Sequence, residues 1–170
     1  MSGGGFGRRP RIGVLYAPGT NCHVETGYAV SLAGGEAAVV IVHDLLQGTV
    51  RLDDYQGIVI PGGFSWGDHI AAGRVFAVHL MARLREELAE FARRKPVLGI
   101  CNGYQVLMEL GLLPTGAVGE RRGALAQNRS ARFESRWARL LVAPTGSFWT
   151  EELAGRVLRL PVAHAEGRMV

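Results

Sequence analysis

The sequence holds only two cysteines in 170 residues, far from the disulfide framework that staples small secreted domains. That scarcity places the chain in a reducing compartment, the cytoplasm. Long apolar runs are also missing. The longest, Ala37 to Val42, is strand-sized and well short of the ~18–20 residues of a membrane helix. Charged residues reach only 20% against 48% apolar, which excludes a disordered chain. A basic face interleaved with stacking aromatics is lacking as well. Arg8, Arg9 and Arg11 supply three charges of a net +4, and the arginines between Arg121 and Arg139 alternate with apolar and acidic residues. The pattern points away from nucleic acid. There is no phosphate loop of the type G-x-x-x-x-G-K-[ST]. The run Gly62-Gly63-Phe64-Ser65-Trp66-Gly67 lacks the middle glycine of G-x-G-x-x-G. No C-x-x-C or H-x-x-x-H pair is present, so no metal is expected.

What is present fits one domain, since ~150 residues per domain is the usual scale. A domain of this size buries about 70% of its unfolded surface. Residues 1–10 read as a flexible leader. Arg8-Arg9 is followed by no signal-type apolar region, which argues against an export signal. Residues 11–170 read as the domain.

Arg11 to Tyr16 reads as a buried strand. A turn follows at 17–21, with Thr20 or Asn21 as N-cap, then a helix to about Ala33 stopped by Gly34-Gly35. Further strands are predicted at Glu36–Val42 and Gly57–Ile60, the latter closed by Pro61-Gly62-Gly63. From Arg74 to Arg94, residues Phe76, Leu80, Leu84, Leu88 and Phe91 recur at spacings of three and four, so a helix buries that face. Arg83–Glu87 and Glu90–Arg94 are its expected surface pairs. Pro96–Ile100 is a fourth strand and Asn102–Leu110 a helix. Beyond Pro114, Arg132–Val142 and Val157–Val162 look like strands with no long helix between them. Strands alternating with helices imply an α/β fold, a mostly parallel sheet with helices on both faces.

The sharpest local feature is Gly99-Ile100-Cys101-Asn102-Gly103, the cysteine form of G-x-S-x-G between an apolar strand and a helix. The turn would aim the sulfur outward at the C-terminal edge of the sheet, where open α/β folds bind ligands. The positive end of the following helix favours negative charge on that sulfur. Of the five histidines, His164 stands out. It ends an apolar strand and precedes Glu166 by two residues, so both side chains share one face of an extended segment. A carboxylate there can orient an imidazole and stabilise its cation. His79 reads as the edge of a helix face, and His23, His43 and His69 as structural or surface residues. Oxyanion donors are expected from the N–H of Asn102 and from the Pro61-Gly62-Gly63 turn. Cys22, without a histidine–acid pair, reads as structural.

The segments APGTNC (17–22), PGGFSWGD (61–68), GICNGYQ (99–105), NRSARF (128–133) and PVAHAEGR (161–168) together resemble the glutaminase subunits of phosphoribosylformylglycinamidine synthases. These are class I, or triad, glutamine amidotransferases of purine biosynthesis. The resemblance spans residues 11–168 and implies a flavodoxin-like fold. It casts Cys101 as nucleophile, His164 as proton shuttle and Glu166 as the residue that holds His164. Gly63 and Asn102 would stabilise the oxyanion. Gly62, Gln105, Asn128, Ser130, Arg132 and Phe133 would help to bind L-glutamine. ATP and magnesium are expected on a large synthetase partner, beside a small bridging subunit, with no cofactor in this chain. The early Met1 is like the separate-subunit form. His23 departs from the family's usual acidic residue. Family members also continue past the H-x-E-G-R segment, so a C-terminally truncated domain is expected, and an inactive docking module is an alternative reading. Cysteine proteins of the DJ-1/PfpI type share an elbow on a similar sheet, but they lack the late H-x-E and the GGFSWGD stretch.

Overall fold

The computed structural model describes residues 8–68, 71–145, 147 and 149–170. Most of the predicted leader and His69 lie outside the described residues. The Pro10 carbonyl, at the leader's end, already accepts the N–H of Glu36 at 2.8 Å. The chain divides into two units, one reaching to Leu125 and including Val170, the other Ala126–Met169.

The first unit is built on four parallel strands, β1 (Arg11–Tyr16), β2 (Glu36–Ile41), β3 (Gly57–Ile60) and β4 (Val97–Gly99), in the order β2-β1-β3-β4. Strand β3 is buried along its whole length, which is why its sequence, GIVI, does not alternate. Helix α1 (His23–Leu32) links β1 to β2, and a short α2 (Val42–Leu46) follows β2. Helix α3 (Arg74–Arg94) precedes β4, and α4 (Asn102–Leu110) follows it. The chain leaves β1 towards β2 on one side and returns to β3 on the other. That reversal is the switch point at which such sheets bind ligands, outside the carboxyl ends of the strands.

Helix α3 spans the residues that its periodicity predicts. Phe76, Leu80, Leu84, Leu88 and Phe91 are all buried. Each such side chain removed from water contributes about 2 kcal/mol. They pack with Leu15, Ile58, Ile60, Val106 and Leu110 in one core. The Glu90–Arg94 pair forms, with Nε–Oε1 at 3.0 Å. Glu87, expected to pair with Arg83, turns its Oε1 to the N–H of Leu52 at 3.0 Å. That backbone group is buried among apolar neighbours and needs an acceptor more than an exposed guanidinium does. Helix α1 starts at His23 with Cys22 at its N-cap position and no side-chain cap, not at a Thr20 or Asn21 cap. Thr20 turns back instead, its Oγ1 accepting the N–H of Ala17 at 3.2 Å.

In the second unit, β6 (Glu134–Leu141) and β7 (Val157–His164) pair antiparallel, with Glu134 opposite His164 and Leu141 opposite Val157. Two-residue strands β5 (Leu125–Ala126) and β8 (Arg168–Met169) flank them in sequence. Among the described residues no helix is long and apolar enough to cross a membrane.

Candidate active site

Three loops leave the C-terminal ends of β1, β3 and β4. The first two are stitched together by backbone. The N–H of Phe64 donates to Gly19 at 2.9 Å, that of Trp66 to Pro18 at 2.7 Å, and that of Cys22 to Gly62 at 3.2 Å. Gly63 has φ +147, and a Cβ there would lie 2.8 Å from the Asn21 nitrogen and the Gly19 oxygen. Only glycine fits that crossing. Gly62 sits beside Cys101, since a Cβ on it would be 3.4 Å from that of Cys101 and 3.5 Å from Cys22 Sγ.

The third loop carries Cys101, with φ 54 and ψ −109. Such a backbone costs a non-glycine residue about 1–3 kcal/mol and persists only where the surroundings impose it. Here they do. The N–H of Ile100 donates to Ile60 at 3.0 Å, and that of Gly103 to Ile100 at 2.9 Å. The two glycines of the elbow are fixed by contact. A Cβ on Gly99 would lie 2.5 Å from the Gly103 oxygen, and one on Gly103 would fall on the Ile60 carbonyl. The result is an exposed thiol at the N-terminus of α4. Asn102, the first residue of α4, carries one of the N–H groups that a helix leaves without an internal partner.

The side chain of Asn102 is buried and ties the elbow to the loop after β3. Its Oδ1 accepts from the Ser65 N–H at 3.2 Å and the Ser65 hydroxyl at 2.7 Å. Its Nδ2 donates to the Asp68 carboxylate at 3.2 and 3.3 Å and to Gln105 Oε1 at 3.0 Å. Asp68 Oδ1 also accepts the N–H of Gly73 at 3.1 Å. Ser65 and Asp68 were not singled out in the sequence. Both lie in the GGFSWGD stretch, and their signal was a serine and an aspartate three apart within a glycine-rich turn.

Cys22 is exposed and donates to Asn21 Oδ1 at 3.3 Å. Partial burial, then the charges of Glu25 and Cys101, push its thiol above the ordinary range. It is therefore poorly ionised at neutral pH. His43 and His79 are exposed; His79 stacks on Trp66 with centroids 4.8 Å apart. Half-buried His23 meets the Tyr16 ring edge-on.

In the second unit, His164 ends β7, and its Nδ1 lies 3.0 Å from Asn128 Oδ1. Asn128 Nδ2 donates to the carbonyls of Arg132 at 2.9 Å and His164 at 2.8 Å. Both donors are thus taken, and the atom facing the imidazole is an oxygen. Nδ1 therefore carries the hydrogen, and Nε2 holds the lone pair that can accept a proton. Asn128 Oδ1 also accepts the N–H of Gly167 at 3.3 Å. All four bonding positions of this carboxamide are filled within the unit. A Cβ on Gly167 would collide with the His164 ring, so the glycine leaves room for the imidazole. Glu166 is half-buried. Ser130 donates to Glu134 Oε1 at 2.6 Å, while Arg132 and Phe133 are exposed. The Ser130 hydroxyl, with Arg136 and His164 nearby, holds the Glu134 carboxyl below the usual carboxylate range. Asn128, Ser130, Glu134, His164 and Arg168 line a groove of ≈ 470 Å³.

The first unit therefore gathers Gly62, Gly63, Cys101, Asn102 and Gln105, and the second gathers Asn128, Ser130 and His164. Among the described residues no cluster of His, Cys, Asp or Glu is suited to a metal ion.

The chain is 40% identical over 158 residues to the phosphoribosylformylglycinamidine synthase subunit PurQ of Dehalococcoides mccartyi, covering 92% of this chain and 62% of that protein. It is 43% identical over 161 residues to the subunit of the same name from Pyrococcus furiosus, covering 92% and 64%. The chain thus spans about three fifths of the length of these curated relatives. A chain in the structure of PurLQS from Thermotoga maritima superposes with a TM-score of 0.76 at 36% identity, over 96% of this chain and 70% of that one. A glutamine amidotransferase from the same organism shares the fold, with a TM-score of 0.59 at 17% identity. The family of CobB/CobQ-like glutamine amidotransferase domains matches residues 9–170. A cysteine elbow on a sheet ordered β2-β1-β3-β4 is thus the local expression of a match along nearly the whole chain, and the chain belongs to the CobB/CobQ-like glutamine amidotransferase family.

Proposed function

We propose that this chain is the glutamine-hydrolysing part of a phosphoribosylformylglycinamidine synthase in purine biosynthesis. The observation that carries the reading is the left-handed elbow at Cys101, φ 54, which presents an exposed thiol at a helix N-terminus within the family's sequence frame. The names of the PurQ relatives support the choice of synthase.

In this reading Cys101 Sγ attacks the side-chain amide carbon of L-glutamine. The N–H groups of Asn102 and Gly63 stabilise the oxyanion, a contribution worth about 2.7–4 kcal/mol per donor where it has been measured. His164 transfers the thiol proton to the leaving nitrogen, its Nε2 being the basic atom. Glu166 steadies the imidazolium. Ammonia leaves, and a thioester remains on Cys101. Water, deprotonated by His164, cleaves the thioester to glutamate and regenerates the thiol. Glutamine plus water thus gives glutamate plus ammonia. Gly62, Gln105 and the segment containing Asn128, Ser130, Arg132 and Phe133 shape the glutamine site. The ammonia serves a large synthetase subunit, with a small bridging subunit alongside. The synthetase would hold ATP and magnesium, which would supply activation of the amide oxygen of formylglycinamide ribonucleotide for its replacement by nitrogen.

The test is Cys101→Ala in the complex reconstituted with its partner subunits. Glutamine-dependent synthesis is expected to disappear while ammonia-dependent synthesis persists. Retained use of glutamine would sink the assignment. Absence of labelling of the wild-type complex by diazo-oxo-norleucine would favour an inactive docking module.

A further inference from the structure

We propose that Ser65, Asn102 and Asp68 form a positioning relay that sets the oxyanion loop and the amide of Gln105 together. The proposal rests on the glutaminase reading above and assigns work to three side chains that the reading leaves idle.

The relay has a direction that bonding rules impose. The Ser65 N–H can only donate, so the Asn102 atom 3.2 Å away is the carbonyl oxygen. The Ser65 hydroxyl, at 2.7 Å, fills its second lone pair. The other end of Asn102 is then an NH2 with two hydrogens to place. One goes to the Asp68 carboxylate and the other to Gln105 Oε1. Gln105 is thereby turned so that its Oε1 faces Asn102. A backbone N–H in the loop after β3 thus dictates which end of Gln105 faces which way.

The loop itself needs holding. Trp66, Gly67 and Asp68 are all left-handed, with φ 51, 70 and 50, and two of the three are not glycine. Consecutive strained residues persist only where neighbours over-determine them. Asp68 supplies that constraint, its carboxylate reaching both Asn102 and the N–H of Gly73. Ser65, at 2% exposure, and Asn102, at 3%, have little water to replace a lost bond. Phe64, Gly63 and Gly62 precede Ser65 directly, so a shift at Ser65 is transmitted to the oxyanion N–H of Gly63.

The experiment uses Ser65→Ala and Asp68→Asn in the full chain with its partner subunits. Competent sites are counted by diazo-oxo-norleucine titration and folding by thermal unfolding. Both variants are expected to lose about tenfold to hundredfold in kcat per titrated site, the scale of a small misplacement near the chemistry. Their KM for glutamine is expected to rise several-fold, because Asn102, with one of its bonds lost or weakened, holds Gln105 Oε1 less firmly. A purely structural role would reduce the number of titratable sites while leaving kcat per site and KM unchanged, and that result overturns the proposal. Side-chain amide NMR reads the relay without activity. Slow exchange of the Asn102 NH2 protons, faster in Asp68→Asn where a neutral carboxamide replaces the carboxylate acceptor, supports it, and fast exchange in the wild type overturns it. A wild-type complex that does not hydrolyse glutamine would count against the glutaminase reading alone, and the NMR result would still decide the relay.

Discussion

Nδ1 of His164 faces Oδ1 of Asn128 at 3.0 Å, and the other bonds of that carboxamide leave no choice of tautomer. Asn128→Ala removes the acceptor and frees the ring to rotate. Glutamine hydrolysis should fall about tenfold to hundredfold, with the protein still folded. Asn128→Asp keeps the acceptor but places a negative charge beside the imidazole. The charge favours the protonated ring, so the acid limb of the kcat/KM profile should move to higher pH. Identical profiles for wild type and Asn128→Asp would show that Asn128 does not act on His164.

Two glycine-to-alanine changes should have opposite signs. At Gly103 the added methyl falls on the Ile60 carbonyl, backbone that cannot step aside. The elbow must open or the protein must unfold, so Gly103→Ala should yield little folded protein and no labelling of Cys101. At Gly27, inside α1, the methyl would meet Ala37 Cβ at 3.6 Å, an ordinary contact. Alanine there gains helix propensity of up to about 1 kcal/mol. Tm should rise by roughly 2–4 °C. A fall in Tm for Gly27→Ala would mean that α1 cannot accept the contact.

Asp53 makes an acid-dependent contribution. Its carboxylate bonds Lys95 Nζ at 3.0 Å, with Arg94 adding to the attraction, and its pKa is held below the ordinary 3.8 although partial desolvation opposes. A carboxyl depressed in the folded state stabilises above its unfolded value and loses that effect as pH falls through the folded value. The pair is on the surface, so its effect is small and salt-sensitive. The Tm gap between wild type and Asp53→Asn should be open at neutral pH and close as pH drops below 3.8. A gap independent of pH and salt would assign the difference to packing.

The first unit was largely legible in its sequence because its signals are local. The spacing of Phe76, Leu80, Leu84, Leu88 and Phe91 marks α3 residue by residue, and G-x-C-x-G marks the elbow without any long-range knowledge. Helix α2 was missed because its first residue, Val42, ends the apolar run of β2, and a five-residue helix has no room to show a period. Glu87 was misjudged for a different reason. Its partner, the N–H of Leu52, is 35 residues away, and helix spacing cannot see it. The bonding of Asn102 to Ser65 and Asp68, and of Asn128 to His164, spans 34 to 37 residues each time. These long-range bonds give the site its orientation, and only the fold reveals them.

Cys22 lies beside Gly62, and its thiol should ionise only well into the alkaline range. Burial raises Cys22 first, and the negative charges of Glu25 and Cys101 add to it. The thiolate is the reactive species, so Cys22 should be alkylated slowly by iodoacetamide at neutral pH. Its rate should keep climbing past pH 9.0, the ordinary thiol value. Glu25→Gln removes one of the charges that oppose ionisation and should speed Cys22 alkylation at neutral pH. Mass spectrometry of the peptide containing Cys22, over a pH series, measures both effects. Slower labelling in Glu25→Gln would reverse the sign and show that this carboxylate does not face the thiol.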